Sequence, residues 1–138
     1  MRKKKFVFII FMIIILMVMI GCAGMSFIKD LSPVDKTFTI NKNKEVIYEN
    51  VLIWLATNFD GYKIKYQNLN TGKIIVRNLH SQVPSGIFLK LYQCSMIIDI
   101  RDNYIHLVFN DLNGYDDTHI FHQKLAEKLN DYLNDVGK

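Results

Sequence analysis

IFLKLYQCSMIIDIRDNYIHLVFNDL, residues 87–112, decides the fold. In its middle Cys94, Met96, Ile98 and Ile100 alternate with Ser95, Asp99 and Arg101, the period-two pattern of a strand with one buried face. Asp102 and Asn103 supply turn chemistry, and Tyr104 to Leu112 returns as a second strand with Ile105, Leu107 and Phe109 on one side. The first few residues behave differently: Ile87, Leu89 and Leu91 are opposed by Phe88 and Tyr92, so both faces are apolar. That predicts a bulge or a change of burial near Tyr92. The centre of the chain is therefore an antiparallel hairpin with one greasy face.

Upstream the same period recurs. Tyr62, Ile64 and Tyr66 alternate with Lys63, Lys65 and Gln67, Asn68 to Gly72 reads as a turn, and Lys73 to Leu79 is rich in β-branched residues. His80 to Gly86, with Pro84 inside it, reads as a loop. The period then shifts to that of helices at both ends. Ile47, Val51, Trp54 and Leu55 recur at three- and four-residue steps within residues 44–59, with Asn43 as N-cap and Asp60–Gly61 as the stop. Phe121, Leu125, Leu129, Tyr132, Leu133 and Val136 define a second helix over residues 118–135, capped by Asp117 or Thr118. A short strand at Thr37–Ile40 precedes them all. The order β-α-β-β-β-β-α predicts an α+β fold: one antiparallel sheet of about five strands with both helices on one face. Ile64, Tyr66, Ile74, Val76, Cys94, Ile98, Leu107 and Phe109 then face the helices. Lys63, Lys65, Ile75, Arg77, Ser95, Asp99, Arg101, His106 and Val108 fall on the other side.

The N-terminus bears on location. Arg2 to Lys5 are positive, Phe6 to Ile20 is an unbroken apolar run, and Met19-Ile20-Gly21 leads directly into Cys22. Charge, grease and a small residue before a cysteine form the pattern of a bacterial lipobox, with cleavage between Gly21 and Cys22 and lipidation of Cys22. An uncleaved transmembrane anchor is the competing reading of the same run. The expected organisation is a signal peptide over residues 1–21, the lipidated cysteine and a tether over 22–36, and a single domain over 37–138. The membrane is then a partner through the N-terminal lipid, and the protein is expected in the bacterial cell envelope.

Four of the 17 basic residues lie in that signal, leaving thirteen against 13 acidic ones, so the basic balance is no argument for nucleic acid. Lipidation of Cys22 leaves Cys94 without a disulfide partner; a Cys22–Cys94 bridge requires an unlipidated Cys22.

Three segments in order carry a family likeness. Tyr48-x5-Trp54-Leu55-Ala56-x-Asn58-Phe59, then Tyr66-x-Asn68 with Gly72-Lys73-Ile74-Ile75-Val76, then Ile98-x-Ile100-x-Asp102-Asn103-Tyr104 resemble a bacterial family of domains of unknown function with a TBP-like fold, over residues 38–113. Asn68 stands where that family often has an acidic residue. The resemblance implies a secreted or lipid-anchored protein and offers no catalytic residues to carry over. The matching positions Trp54, Ala56, Phe59 and Gly72 read as packing and turn geometry.

No Gly-rich phosphate loop, Cys-x-x-Cys or nucleophile elbow occurs, and no cofactor is expected. Asp116-Asp117-x-His119-x-x-His122 places two imidazoles on one helix face beside carboxylates, the best arrangement for a metal, although a solvated helix start has the same spacing. Asp99, Asp102 and Asp111 are placed to approach one another across the hairpin, although Asp102 lies in a turn and such pairs are usually solvated. The leading expectation is a non-enzymatic interaction or ligand-binding module, with no metal and an envelope protein as partner. Its contact face is expected at Lys65, Arg77, Arg101 and His106, or on the 80–86 loop beside them. The alternative is a small envelope hydrolase using His119 and His122.

Overall fold

The Asp102–Asn103 turn folds the two long strands onto each other in the computed structural model, which describes residues 28–85 and 88–136 together with Met12. Apart from Met12, the signal region, the Gly21–Cys22 site and the first part of the tether lie outside the described residues, as do Gly86 and Ile87. In chain order the elements are β1 (Ile28–Leu31), β2 (Val34–Thr39), α1 (Lys44–Asn58), β3 (Lys63–Asn68), β4 (Lys73–Ser85), β5 (Phe88–Arg101), β6 (Tyr104–Gly114) and α2 (Thr118–Asp135). They form an antiparallel sheet of six strands, ordered β1-β6-β5-β4-β3, with β2 also pairing with β6. β1 and β2 share that edge in succession: Ile28 and Leu31 sit opposite Gly114 and Leu112, and Val34 to Thr39 opposite Phe109 to Tyr104. The α+β architecture with two helices is the one the sequence predicts.

The helices cover a single face because their apolar stripes have nowhere else to go. Ile47, Tyr48, Val51, Trp54 and Leu55 of α1 and Ala126, Leu129 and Leu133 of α2 are buried against Ile74, Val76, Met96, Ile98, Ile100, Ile105, Leu107 and Phe109. Trp54 is a core anchor, edge-on to Phe59 at 5.5 Å. Asn43 caps α1 by accepting from the Val46 N–H at 3.0 Å. At the far end of α2, the Lys42 ammonium donates to the carbonyls of Leu133 and Val136, satisfying two acceptors that the helix leaves over. Gly72, at φ +68°, closes the β3–β4 turn; a Cβ there would lie 1.9 Å from the Ile100 carbonyl oxygen.

Several expectations need correction. The tether does not reach residue 36: Ile28 and Leu31 are already paired with β6, as are Val34 and Lys36. The 80–86 loop is largely strand, because β5 runs apolar through Phe88–Gln93 and offers His80 to Ser85 a partner at every position. Pro84 is tolerated there because β3 ends at the Lys63–Arg77 pair, leaving the other edge of β4 free. The irregularities near Tyr92 sit on the neighbouring strands, between Val76 and Leu79 of β4 and between Asn110 and Asn113 of β6. Tyr66 is 42% exposed because a register shift after Ile64 turns it to the same face as Ile75, whereas Ile64, opposite Val76, keeps the helix-side face and is exposed on the edge strand. Lys65 is the extra residue at that shift, so it holds no place in the row of outward side chains.

Candidate functional site

Residues paired across antiparallel strands share a face, so the register maps the side of the sheet without helices. Tyr66, Ile75, Ile97 and Val108 form one apolar row across four strands. Asn68, Lys73, Asp99, His106 and Thr37 form the next, a polar row. Lys73 and Asp99 approach to 3.9 Å, and His106 Nε2 lies 2.8 Å from the Asp35 carboxylate. Those charges are partly satisfied within the protein. Arg101 lies at the far hairpin end with its guanidinium 5.9 Å from the Tyr104 ring centre.

The predicted contact set is thus scattered. Lys65 sits on the edge strand and His106 is engaged by Asp35. Arg101 is six residues from Ser95 along β5, about 20 Å of extended chain. Arg77 is the member of the set that lines the hollow between β4, β5 and β6.

That hollow has a local cause. Cys94 and Ser95 of β5 are flanked on both sides by bulges, one on β4 at Asn78 (φ 58°) and one on β6 at Asp111 (φ 52°). Asn and Asp are the non-glycine residues that best tolerate this left-handed backbone. Each bulge bends its strand and sharpens the twist, and together they hollow the open face. The result is a cleft of about 430 Å³ with Ile75 and Ile97 as an apolar floor and Leu31 and Pro33 as a wall. Arg77, Ser95 and Asp111 line both it and an adjoining space of about 360 Å³ that Asn78, Gln93 and Asn113 complete. Among the described residues neither Arg77 nor Asp111 takes part in an ion pair. One guanidinium, one carboxylate, amides and a hydroxyl around an apolar floor suit a ligand with a polar end and an aliphatic or aromatic body. Sequence reasoning placed Ile75, Arg77 and Ser95 on this face and missed the rest. The signal available was two αL-tolerant residues, Asn78 and Asp111, each interrupting an otherwise alternating strand.

The other constellations do not assemble. His119 Nε2 lies 2.7 Å from the Ser32 carbonyl oxygen, whereas His122 is buried, with Nδ1 2.8 Å from the Thr118 carbonyl oxygen and its ring edge-on to Tyr92 and Phe121. Burial holds the His122 pKa below the ordinary imidazole value. Asp117 does not cap α2 with its side chain: it accepts from Lys90 Nζ at 2.9 Å and from the Tyr92 hydroxyl at 2.8 Å. Lys90 above all holds the Asp117 carboxyl below the usual carboxylate range. Among the described residues no group of three or more His, Cys, Asp or Glu side chains is arranged to hold a metal ion. Asp102 accepts from the Lys44 N–H at 2.8 Å and Asp99 pairs with Lys73, so neither joins Asp111.

Comparison with known proteins sets this geometry in a fold. A TBP-like protein from Parabacteroides distasonis superposes with a TM-score of 0.60 at 14% identity, covering 75% of this chain and 92% of that one. A DUF4468 family protein from Bacteroides ovatus gives 0.48 at 16% identity over 62% of this chain and 57% of that one. An aromatase/cyclase, Zhui from a Streptomyces species, gives 0.30 at 10% identity over 75% and 88%. No family model and no curated protein sequence matches the chain. The first likeness establishes a TBP-like α+β fold. At that identity it speaks for the fold alone.

Proposed function

We propose that this chain is a lipid-anchored bacterial envelope protein that works as a non-enzymatic binding module, taking an envelope partner or a small ligand at the cleft on the open sheet face. The observation that carries the binding reading is the pair of bulges around Cys94 and Ser95, which hollows the open sheet face and lines the hollow with Arg77 and Asp111, neither of them in an ion pair among the described residues. Bulges are over-represented beside functional sites because they re-aim side chains there. The anchoring reading rests on the sequence at Gly21–Cys22 and on the resemblance to secreted or lipid-anchored proteins. Among the described residues no helix is long and apolar enough to cross a membrane.

One experiment addresses each half. Cys22→Ser is expected to leave an uncleaved precursor that takes up no fatty-acid probe; unchanged labelling defeats the anchor. Arg77→Ser combined with Asp111→Asn keeps an αL-tolerant residue at the bulge, so the circular dichroism spectrum and melting temperature are expected to hold while cross-links to envelope components disappear. Cross-linking that survives this variant removes the cleft as the contact.

A further inference from the structure

Two features leave the domain at the same end. β1 enters the sheet with Ile28 opposite Gly114, and a Cβ on Gly114 would lie 3.1 Å from the Tyr92 ring, so Ile28 stands level with Tyr92 of β5. From there β4 and β5 continue with no further strand beside them among the described residues. β3 has ended at the Lys63–Arg77 pair and β6 at Gly114, and the two remaining strands stay in register to the Ser85–Phe88 pair. They form a two-stranded arm that extends about 13 Å beyond Tyr92. The chain that precedes Ile28 comes from this end, and the six residue steps from Cys22 to Ile28 span at most about 21 Å.

The arm has two unlike faces. Its inner face is fixed to the start of α2: Tyr92 stacks on Phe121 with ring centres 4.1 Å apart, and Lys90 and Tyr92 both donate to Asp117. Its outer face is open and mostly apolar, with the uncharged Gln82 opposite Leu91 as its polar member. Leu89 is 62% exposed and Leu91 36% exposed, and Pro84, paired with Leu89, is exposed beside them. An acylated Cys22 keeps this end of the domain within about 21 Å of the bilayer, and the arm fills about 13 Å of that gap. We infer that the Pro84–Leu89–Leu91 face of the arm seats in the lipid surface that holds the anchor, an inference that rests on the lipidation of Cys22. Tethering supplies a high effective concentration, so a contact too small to recruit the free domain suffices for the anchored one. The face itself is uncharged, and the nearby Lys90 is paired with Asp117, so the contact draws on apolar burial rather than on anionic headgroups.

The test uses the full lipidated chain reconstituted in vesicles containing a bromine-labelled phosphatidylcholine as quencher. An environment-sensitive dye is placed on Leu89→Cys and, in a second protein, on Asn70→Cys in the β3–β4 turn at the opposite end. Quenching is expected at position 89 and not at position 70, and to the same extent in pure phosphatidylcholine and in vesicles with one-third phosphatidylglycerol. Equal dye signals at the two positions overturn the arm contact. So does quenching that appears only with phosphatidylglycerol, or a position-89 dye shielded by cross-linking to a second copy or to another protein. Fatty-acid labelling of the same preparations separates the two readings. Labelled protein with an unquenched position 89 defeats the arm alone, whereas unlabelled protein defeats the anchor and the arm together.

Discussion

β5 is two strands in one. From Cys94 to Arg101 it has β4 on one side, β6 on the other and helices over one face, and every second side chain is buried. From Phe88 to Gln93 it has β4 as its main neighbour and leans on the start of α2 through Tyr92 and Lys90. The residue types hardly differ between the halves. What differs is the number of neighbours, and that decides whether a leucine or isoleucine is core or surface. Apolar composition tells a strand from a loop; only the surrounding elements tell which faces are covered.

The sharpest way to break this contrast is to place a charge in each half. Ile98→Asp puts a carboxylate at a fully buried position and is expected to abolish cooperative folding, because the desolvation cost rivals the whole stability of a domain this small. Leu89→Asp on the arm is expected to leave the global melt within about 0.5 kcal/mol of wild type. Trp54→Ala belongs with the first half and is expected to cost about 3–5 kcal/mol. Thermal melts of the three proteins check the ranking, and a similar loss at positions 98 and 89 would mean that the arm is as integral as the sheet.

His122 sits where the arm meets the core. Burial disfavours its cation, the contact with the Thr118 carbonyl works the other way, and His119 adds a small unfavourable charge. The unfolded chain therefore takes up a proton near pH 6.5 while the folded one resists until lower pH. Its contribution to stability is complete above about pH 6.5 and falls as the pH drops towards the folded-state pKa. The melting temperature of the wild type is expected to decline between pH 7 and 5, and this decline is expected to be absent in His122→Phe. An unchanged slope in the variant would assign the acid sensitivity elsewhere.

Asp117 gives the smallest effect. Its side chain is 41% exposed, so solvent weakens the bridge to Lys90, and Asp117→Asn is expected to cost less than about 1 kcal/mol globally. Because its folded pKa is depressed, that contribution is complete above about pH 4 and lost only as the pH falls through the lower, folded value. The effect is expected to concentrate in the arm, where amides of residues 88–92 exchange faster in the variant while those of residues 96–100 do not.

Much of the fold is legible because strong periods survive tertiary context. Residues 118–135 form the helix their spacing predicts, and the Asp102–Asn103 turn sits where its dipeptide says. β1 escapes because Ile28-Lys29-Asp30-Leu31 is too short to show alternation. His80–Ser85 escapes because its own residues are polar and carry a proline; its strand character is supplied by β5. The site was harder still. A bulge resets the alternation, so Tyr66 changes face and Lys65 drops out of the row, and no reading by strict period two locates Arg77 beside Asp111.

Cys94 gives the molecule a built-in clock. Its thiol is 3% exposed, and burial pushes its pKa up to about 12, with Asp111 adding a little, so at neutral pH it is both shielded and protonated. Alkylating reagents need a thiolate in contact with water. Modification at residue 94 therefore counts the moments when β5 is opened between its neighbours. Mass spectrometry after a timed pulse of reagent reads that opening rate in intact cells, with no fluorescent tag, engineered residue or purification.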